Sequence, residues 1–350
     1  MFVDLPLAEL RNYLPDVEEP PDFDDFWSSE IAAARTKDID ARFSPAKTAV
    51  RHADVLDVTY AGHGGDPIKA WLLIPHEPGP NRTMVVEYIG YGGGRGDPLD
   101  WLKWSCAGYP HLIMDTRGQG GAWRVSETSD PGDTGEPASP GFMTRGIRDP
   151  RGYYYTRLFV DAARAVDAAR SHPILAGLRV VTTGASQGGG LALAAAHLAE
   201  GVFATLPEVP FLAHARRAAE ITASLPYGEL AQYCRVHQDE VEEVFRTISY
   251  IDVVNHAKRC TSPALFSVGL LDDIAPASTV FAAFNHYAGP KDIAVYSFNG
   301  HEGGGTTHTL RQLEFLDSQG RADLDQPAVI PPAVRRDQPH RPATPPGDQS

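Results

Sequence analysis

Between Leu178 and Ala199 the chain passes from an apolar run, Leu178 to Thr183, through Gly184-Ala185-Ser186-Gln187-Gly188 into an Ala- and Leu-rich stretch, Gly188 to Ala199. The pattern predicts strand, tight turn, helix. Small residues on both sides of Ser186 let the backbone make a sharp, strained turn that lifts the serine hydroxyl above the end of the strand. The same turn aims the Gln187 amide at the space where a negatively charged oxygen would form. A glycine-rich turn carrying an incidental serine has the same outline, so the reading depends on what else the chain supplies.

The surroundings fit a mostly parallel sheet flanked by helices, because short apolar strands alternate with helical segments. Met84 to Ile89, His111 to Met114, Leu178 to Thr183, Ala264 to Val268 and Ile293 to Phe298 read as strands. Val50 to Tyr60 and Ile68 to Ile74 read as a hairpin around His63-Gly64-Gly65-Asp66. The opening reads as a helical extension, with Asp4 capping a helix through Tyr13 and Asp22 capping another through Ala34. The clearest helix runs from about Tyr153 to about Ser171, with Phe159, Ala163, Val166 and Ala169 on its inner face. Ala122 to Pro150 is a long Gly-, Pro- and Asp-rich loop, which in a compact domain points to function or disorder. Phe211 to Ile251 reads as a helical, lid-type insertion broken by Pro226 and Gly228. The chain is thus expected to form one domain over residues 1–325 with the insertion at 211–251. The Pro-rich residues 326–350 are expected to be a disordered tail.

A serine is a weak nucleophile at neutral pH and needs a base, itself oriented by a carboxylate. On a sheet of this kind those partners follow the serine along the chain, carboxylate first and histidine last. Gly269-Leu270-Leu271-Asp272-Asp273 closes an apolar strand, where a carboxylate reaches the active edge. Of the adjacent Asp272 and Asp273, one can orient the base while the other caps the next helix. His301 follows the last strand in Asn299-Gly300-His301-Glu302-Gly303-Gly304-Gly305 and is the expected base, with His308 as its rival. The second oxyanion donor is expected from Ile89-Gly90-Tyr91-Gly92-Gly93, with the Tyr91 amide as donor. Tyr91 and Pro226 are the candidate substrate contacts. That loop matches neither a P-loop nor a dinucleotide-binding glycine pattern. Arg117, in Asp115-Thr116-Arg117-Gly118-Gln119, reads as a loop-holding arginine paired with a carboxylate rather than an anion receptor.

With 31 basic and 45 acidic residues the net charge is −14, which argues against a nucleic-acid partner. Three scattered cysteines, Cys106, Cys234 and Cys260, form neither a disulfide framework nor CxxC spacing. No run of apolar residues reaches membrane-span length, and Met1 to Asp22 lacks a secretory pattern, so a cytoplasmic protein without a membrane partner is expected. No H-E-x-x-H occurs, and neither a metal nor another cofactor is expected.

Arg117-Gly118-Gln119, Gly184-Ala185-Ser186-Gln187-Gly188-Gly189 and His301-Glu302, in this order, resemble the acetyl xylan esterase / cephalosporin C deacetylase family, carbohydrate esterase family seven. The likeness extends to Pro140-Gly141-Phe142-Met143-Thr144-Arg145-Gly146, Tyr153-Tyr154-Tyr155 and Phe245-Arg246-Thr247, and covers about residues 1 to 320. It implies the α/β-hydrolase fold, with Ser186 as nucleophile, Asp272 as triad acid, His301 as base, and the amides of Tyr91 and Gln187 as oxyanion donors. Arg117, Gln119 and Glu302 then stand near the site in structural roles. The implied activity is removal of acetyl groups from xylo-oligosaccharides and cephalosporin C, without a cofactor. The implied assembly is an intracellular hexamer whose active sites face an inner cavity. The sequence departs from the family at Ile89 and Gly92, where His and Asn are common, and at Ala275 and Ala277, where Cys and Pro are common.

A peptidase or amidase, or another short-chain carboxylesterase, on the same scaffold is the alternative.

Overall fold

The structure, a computed structural model, describes residues 4–131 and 140–321. The expected tail at 326–350 lies outside them, as does the middle of the Ala122–Pro150 loop. The strands are β1 (Arg42–Pro45), β2 (Ala53–Ala61), β3 (Pro67–Pro75), β4 (Thr83–Tyr88), β5 (His111–Met114), β6 (Arg179–Ala185), β7 (Val202–Glu208), β8 (Ala264–Gly269) and β9 (Lys291–Tyr296). They form one sheet in the order β1-β2-β3-β5-β4-β6-β7-β8-β9. Pairings from β1 to β5 through β2 and β3 are antiparallel, and those from β5 to β9 are parallel. This is the α/β-hydrolase arrangement. The helices are α1 (Leu7–Leu10), α2 (Phe23–Arg35), α3 (Leu102–Cys106), α4 (Tyr154–Ser171), α5 (Gln187–Leu198), α6 (Ala215–Ile221), α7 (Tyr227–Val236), α8 (Val241–Ser249), α9 (Val253–Ala257), α10 (Ala277–His286) and α11 (Gly305–Arg321).

Alternation along the strands assigns the two faces of the sheet. Met84, Val86, Tyr88 and Val180 join the buried faces of α2, α4 and α5, including Trp27, Phe159 and Leu191. Val85, Val181, Ala204 and Leu206 point the other way, onto Trp104 of α3 and Leu316 of α11. Covering both faces buries the inner parallel strands, most fully β4, β5 and β8, where every residue is buried.

Sequence and structure part company at defined places. Asp4 does not cap α1, whose N-cap is Pro6. Its carboxylate instead accepts the Ser278 amide at 2.6 Å and bonds Arg217, tying the start of the chain to α10 and α6. Asp22 is the N-cap of α2 without a capping bond and accepts the Tyr250 hydroxyl at 2.6 Å. The last strand ends at Tyr296, two residues earlier than expected, and Phe298 is 91% exposed in the following loop. The region Phe211 to Ile251 contains α6, α7 and α8, with Tyr227, Leu230, Val244 and Ile248 buried. Among the described residues, no helix is long and apolar enough to cross a membrane.

Candidate active site

Ser186 stands between β6 and α5 with φ 58° and ψ −119°, a strained conformation for a residue with a side chain. Packing enforces it. A Cβ on Gly188 would lie 2.2 Å from the Tyr88 carbonyl oxygen, and one on Gly184 would lie 2.6 Å from the same atom. The Ser186 amide donates to the Glu208 carbonyl at 2.9 Å, which fixes the turn to the end of β7. The Ser186 hydroxyl has no hydrogen-bond partner among the described residues.

Asp272 follows β8 and is buried. Its Oδ1 accepts the amides of Ile274 and Ala275, both at 2.9 Å. Its Oδ2 lies 2.8 Å from His301 Nδ1. That contact is prepared by the backbone, because the Leu270 amide donates to the Tyr296 carbonyl at 3.0 Å and the Leu271 amide to the Asn299 carbonyl at 3.0 Å. The loops after β8 and β9 are therefore laced together where the two side chains meet. Asp273 faces away; its Oδ2 accepts the Ser224 hydroxyl at 3.1 Å, in the loop between α6 and α7. Glu302 steadies the His301 loop by accepting Asn299 Nδ2 at 2.8 Å and the Gly300 amide at 3.0 Å. His308, the rival base, is buried in α11 with Nδ1 3.2 Å from the Tyr296 hydroxyl. Burial lowers its pKa to about 4.

The loop after β4 is anchored to the serine turn by two buried glutamine side chains. Gln119 Nε2 donates to Gln187 Oε1 at 2.9 Å, and Gln187 Nε2 donates to the Ile89 carbonyl at 3.1 Å. Gln119 Oε1 accepts the Gly92 amide at 2.7 Å. Tyr154 and Tyr155 of α4 complete this network through Gln119 Nε2 and Gln187 Oε1, each at 3.0 Å. The Gly90 carbonyl accepts the Gly93 amide at 3.2 Å. In a trans peptide the N–H points opposite to the C=O, so the Tyr91 N–H is turned away from that bond. The amides of Tyr91 and Gln187 both lack an acceptor among the described residues. An oxygen anion between them would satisfy both.

The Tyr91 phenol is committed elsewhere. It donates to Glu229 Oε1 at 2.6 Å and accepts the amides of Gly141 and Phe142 at 3.0 and 2.9 Å. Burial and the Glu229 carboxylate raise its pKa, so it stays a donor. Pro226 is buried at the N-cap of α7, while the neighbouring Leu225 is exposed. Arg117 is wholly buried among carboxylates, with Nη2 2.8 Å from Asp161 and Nη1 3.0 Å from Asp66 and 3.3 Å from Asp130. It clamps loops beneath the site. Two residues carried no sequence signal. Glu229 is one acid among several in a helical segment. Trp123 is half-exposed over the loop, with its indole N–H 2.8 Å from the Tyr91 carbonyl.

Comparison with known proteins agrees with this architecture. Residues 1–319 match the family described as acetyl xylan esterase (AXE1). The acetyl esterase Axe7A of Xylanibacter ruminicola is 26% identical over 304 residues, which are 82% of this chain. The chain spans 64% of that relative's length. The solved acetyl xylan esterase of a Paenibacillus species is 38% identical, covers 90% of this chain and 99% of its own, and superposes with a TM-score of 0.81. Acetyl xylan esterase 1 of a Thermoanaerobacterium species is 33% identical with the same coverage and TM-score. By sequence along nearly its whole described length, and by fold, the chain belongs to the acetyl xylan esterase family.

Proposed function

We propose that the chain is a serine carboxylic ester hydrolase that removes acetyl groups from small acetylated substrates through an acetyl-enzyme. Acetylated xylo-oligosaccharides and the acetoxymethyl ester of cephalosporin C are the proposed substrates. The observation that carries this reading is the buried Asp272 carboxylate, held by two amides and 2.8 Å from His301 Nδ1, at the same sheet edge as the strained Ser186. That contact keeps the proton on Nδ1 and leaves Nε2 as the basic atom. Nε2 takes the Ser186 proton as the hydroxyl attacks the ester carbonyl. The amides of Tyr91 and Gln187 receive the developing oxyanion, each worth on the order of 3 kcal/mol. The imidazolium then protonates the leaving alcohol. Water, activated in the same way, releases acetate and restores the serine. The free Ser186 hydroxyl is compatible with this sequence, since such contacts often tighten only when substrate arrives.

The test compares Ser186→Ala with the unaltered protein on p-nitrophenyl acetate, butyrate and octanoate and on the two natural ester classes. Loss of turnover by several orders of magnitude, with an unchanged fold, is the expected result. An active Ser186→Ala variant would overturn the assignment. Equal rates on the longer acyl chains would keep the triad and remove the deacetylase specificity. A cytoplasmic location and a homo-oligomer, a hexamer by family resemblance, complete the proposal. Free cysteines favour a reducing compartment, and light scattering reads the assembly.

A further inference from the structure

Glu229 lies in α7, within the helical insertion, and its carboxylate is where three separate segments meet. Oε1 accepts the Tyr91 hydroxyl at 2.6 Å, and Oε2 accepts the Met143 amide at 3.1 Å. The Tyr91 oxygen accepts the amides of Gly141 and Phe142 in turn. The Tyr91 ring stands edge-on to Phe142 and Phe211, with centroids 5.8 and 6.4 Å apart. The insertion, the 141–143 segment and the loop after β4 are thus joined through one carboxylate and one phenol.

The backbone of Tyr91 is fixed as closely as its side chain. Its carbonyl accepts Trp123 Nε1, the next amide is held by Gln119, and the preceding carbonyls of Ile89 and Gly90 are both bonded. Among the described residues, the Tyr91 N–H alone of this residue's polar groups is left without a partner. A residue whose one free polar group must meet a short-lived oxyanion is held at every other point. The remote hold, on the ring, comes from the insertion.

We propose that Glu229 is a positioning residue for ester hydrolysis, acting through the Tyr91 hydroxyl to hold the Tyr91 N–H where the oxyanion forms. This rests on the esterase reading above, with Tyr91 as an oxyanion donor. Hydrogen bonds to a carboxylate are the stronger kind. Donors to an oxyanion owe their effect to being in place before charge develops. Removing the carboxylate leaves the phenol O–H without its acceptor and orphans the Met143 N–H.

The experiment uses the full chain with Glu229→Ala, Glu229→Gln, Tyr91→Phe and the Glu229→Ala/Tyr91→Phe double variant. Turnover of p-nitrophenyl acetate is measured beside inhibition by a trifluoromethyl ketone, which forms a tetrahedral oxyanion on the serine. Glu229→Ala is expected to lower kcat on the order of tenfold or more with KM within about threefold. Affinity for the ketone is expected to fall in parallel. Tyr91→Phe is expected to give a similar loss, and the double variant one no larger than the worse single variant. Glu229→Gln is expected to fall between, because its carbonyl can accept the phenol while its amide end opposes the Met143 N–H. Amide exchange without substrate is expected to quicken at Gly141 to Met143. If Glu229→Ala does not fold, Tyr91→Phe and Glu229→Gln decide the matter by the same kcat and KM split. Unchanged kcat, a change confined to KM, or losses that multiply in the double variant would overturn the role of Glu229. Wild-type protein inert toward the ester, or an active Ser186→Ala, would instead overturn the esterase reading.

Discussion

Asp272 is the residue whose replacement tests the site most sharply, because its two oxygens have different tasks. Oδ1 is fixed by two backbone donors, and only Oδ2 faces the imidazole. In Asp272→Asn the side-chain carbonyl must stay on the two amides, since an NH2 group cannot accept from them. The NH2 then faces His301 Nδ1 and forces it to become an acceptor, which places the ring proton on Nε2. In the proposed mechanism this blocks the base while the fold is kept. Turnover is expected to fall by three to four orders of magnitude with little change in melting temperature, measured by steady-state kinetics beside calorimetry. Gly188→Ala makes the opposite separation. Its Cβ would meet a backbone carbonyl at 2.2 Å, which cannot rotate away. Activity and stability are expected to fall together, and a variant stable and fully active would show that the turn has room the structure denies it.

At the level of elements, Arg117, its own side chain entirely out of solvent, joins the loop after β5 to α4 through the buried Asp161 and to the β2–β3 turn through the half-buried Asp66. Arg117→Ala strands buried carboxylates and is expected to destabilise the fold by about 3–5 kcal/mol. Chemical denaturation reads this directly, and a loss under 1 kcal/mol would mean that the carboxylates find other partners. The same scale shows why some elements were legible in the sequence and others were not. The turn after β6 was readable because one strained residue demands small neighbours, and the Asp272-Asp273 pair and His301 because each follows a strand on the way to the active edge. β7 was not, because Pro207 interrupts its apolar run. It is tolerated near the strand's end, paired with Gly184. α11 was hidden for a different reason. Its inward positions include His308, Gln312 and Leu316, four residues apart, and two of the three are polar. Gln312 Nε2 donates to Glu208 Oε1 at 3.0 Å, so the helix packs on a buried carboxylate and loses its apolar period. Glu229 was invisible because its meaning lies in contacts 86 and 138 residues away in the chain.

The whole molecule carries several buried and half-buried histidines, and these set how it meets acid. Burial lowers the pKa of His197, His214 and His308 to about 4, and that of His256 well below the ordinary value. In the unfolded chain each titrates near 6.5. Between about pH 6.5 and 4 the unfolded state therefore binds protons that the native state refuses. Their contribution to stability is complete above the unfolded value and is lost as the pH falls through the window. Asp252 opposes this. Burial raises its pKa to about 6 despite three amide donors. Its native form thus takes a proton more readily than the unfolded chain and gains stability as pH falls over the same range. Four histidines outnumber one carboxyl, so the net slope is destabilising toward acid. The melting temperature is expected to be level from pH 8 to 7 and to drop steeply from pH 6 to 5, as scanning calorimetry would show. His308→Gln should flatten that slope by about one proton, since among the described residues Nε2 of His308 has no partner to lose and only the Tyr296 contact is at stake. A melting temperature that holds or rises between pH 6 and 5 would mean that these histidines reach solvent and titrate in the native protein, and the packing of α5, α9 and α11 would have to be looser than the structure has it.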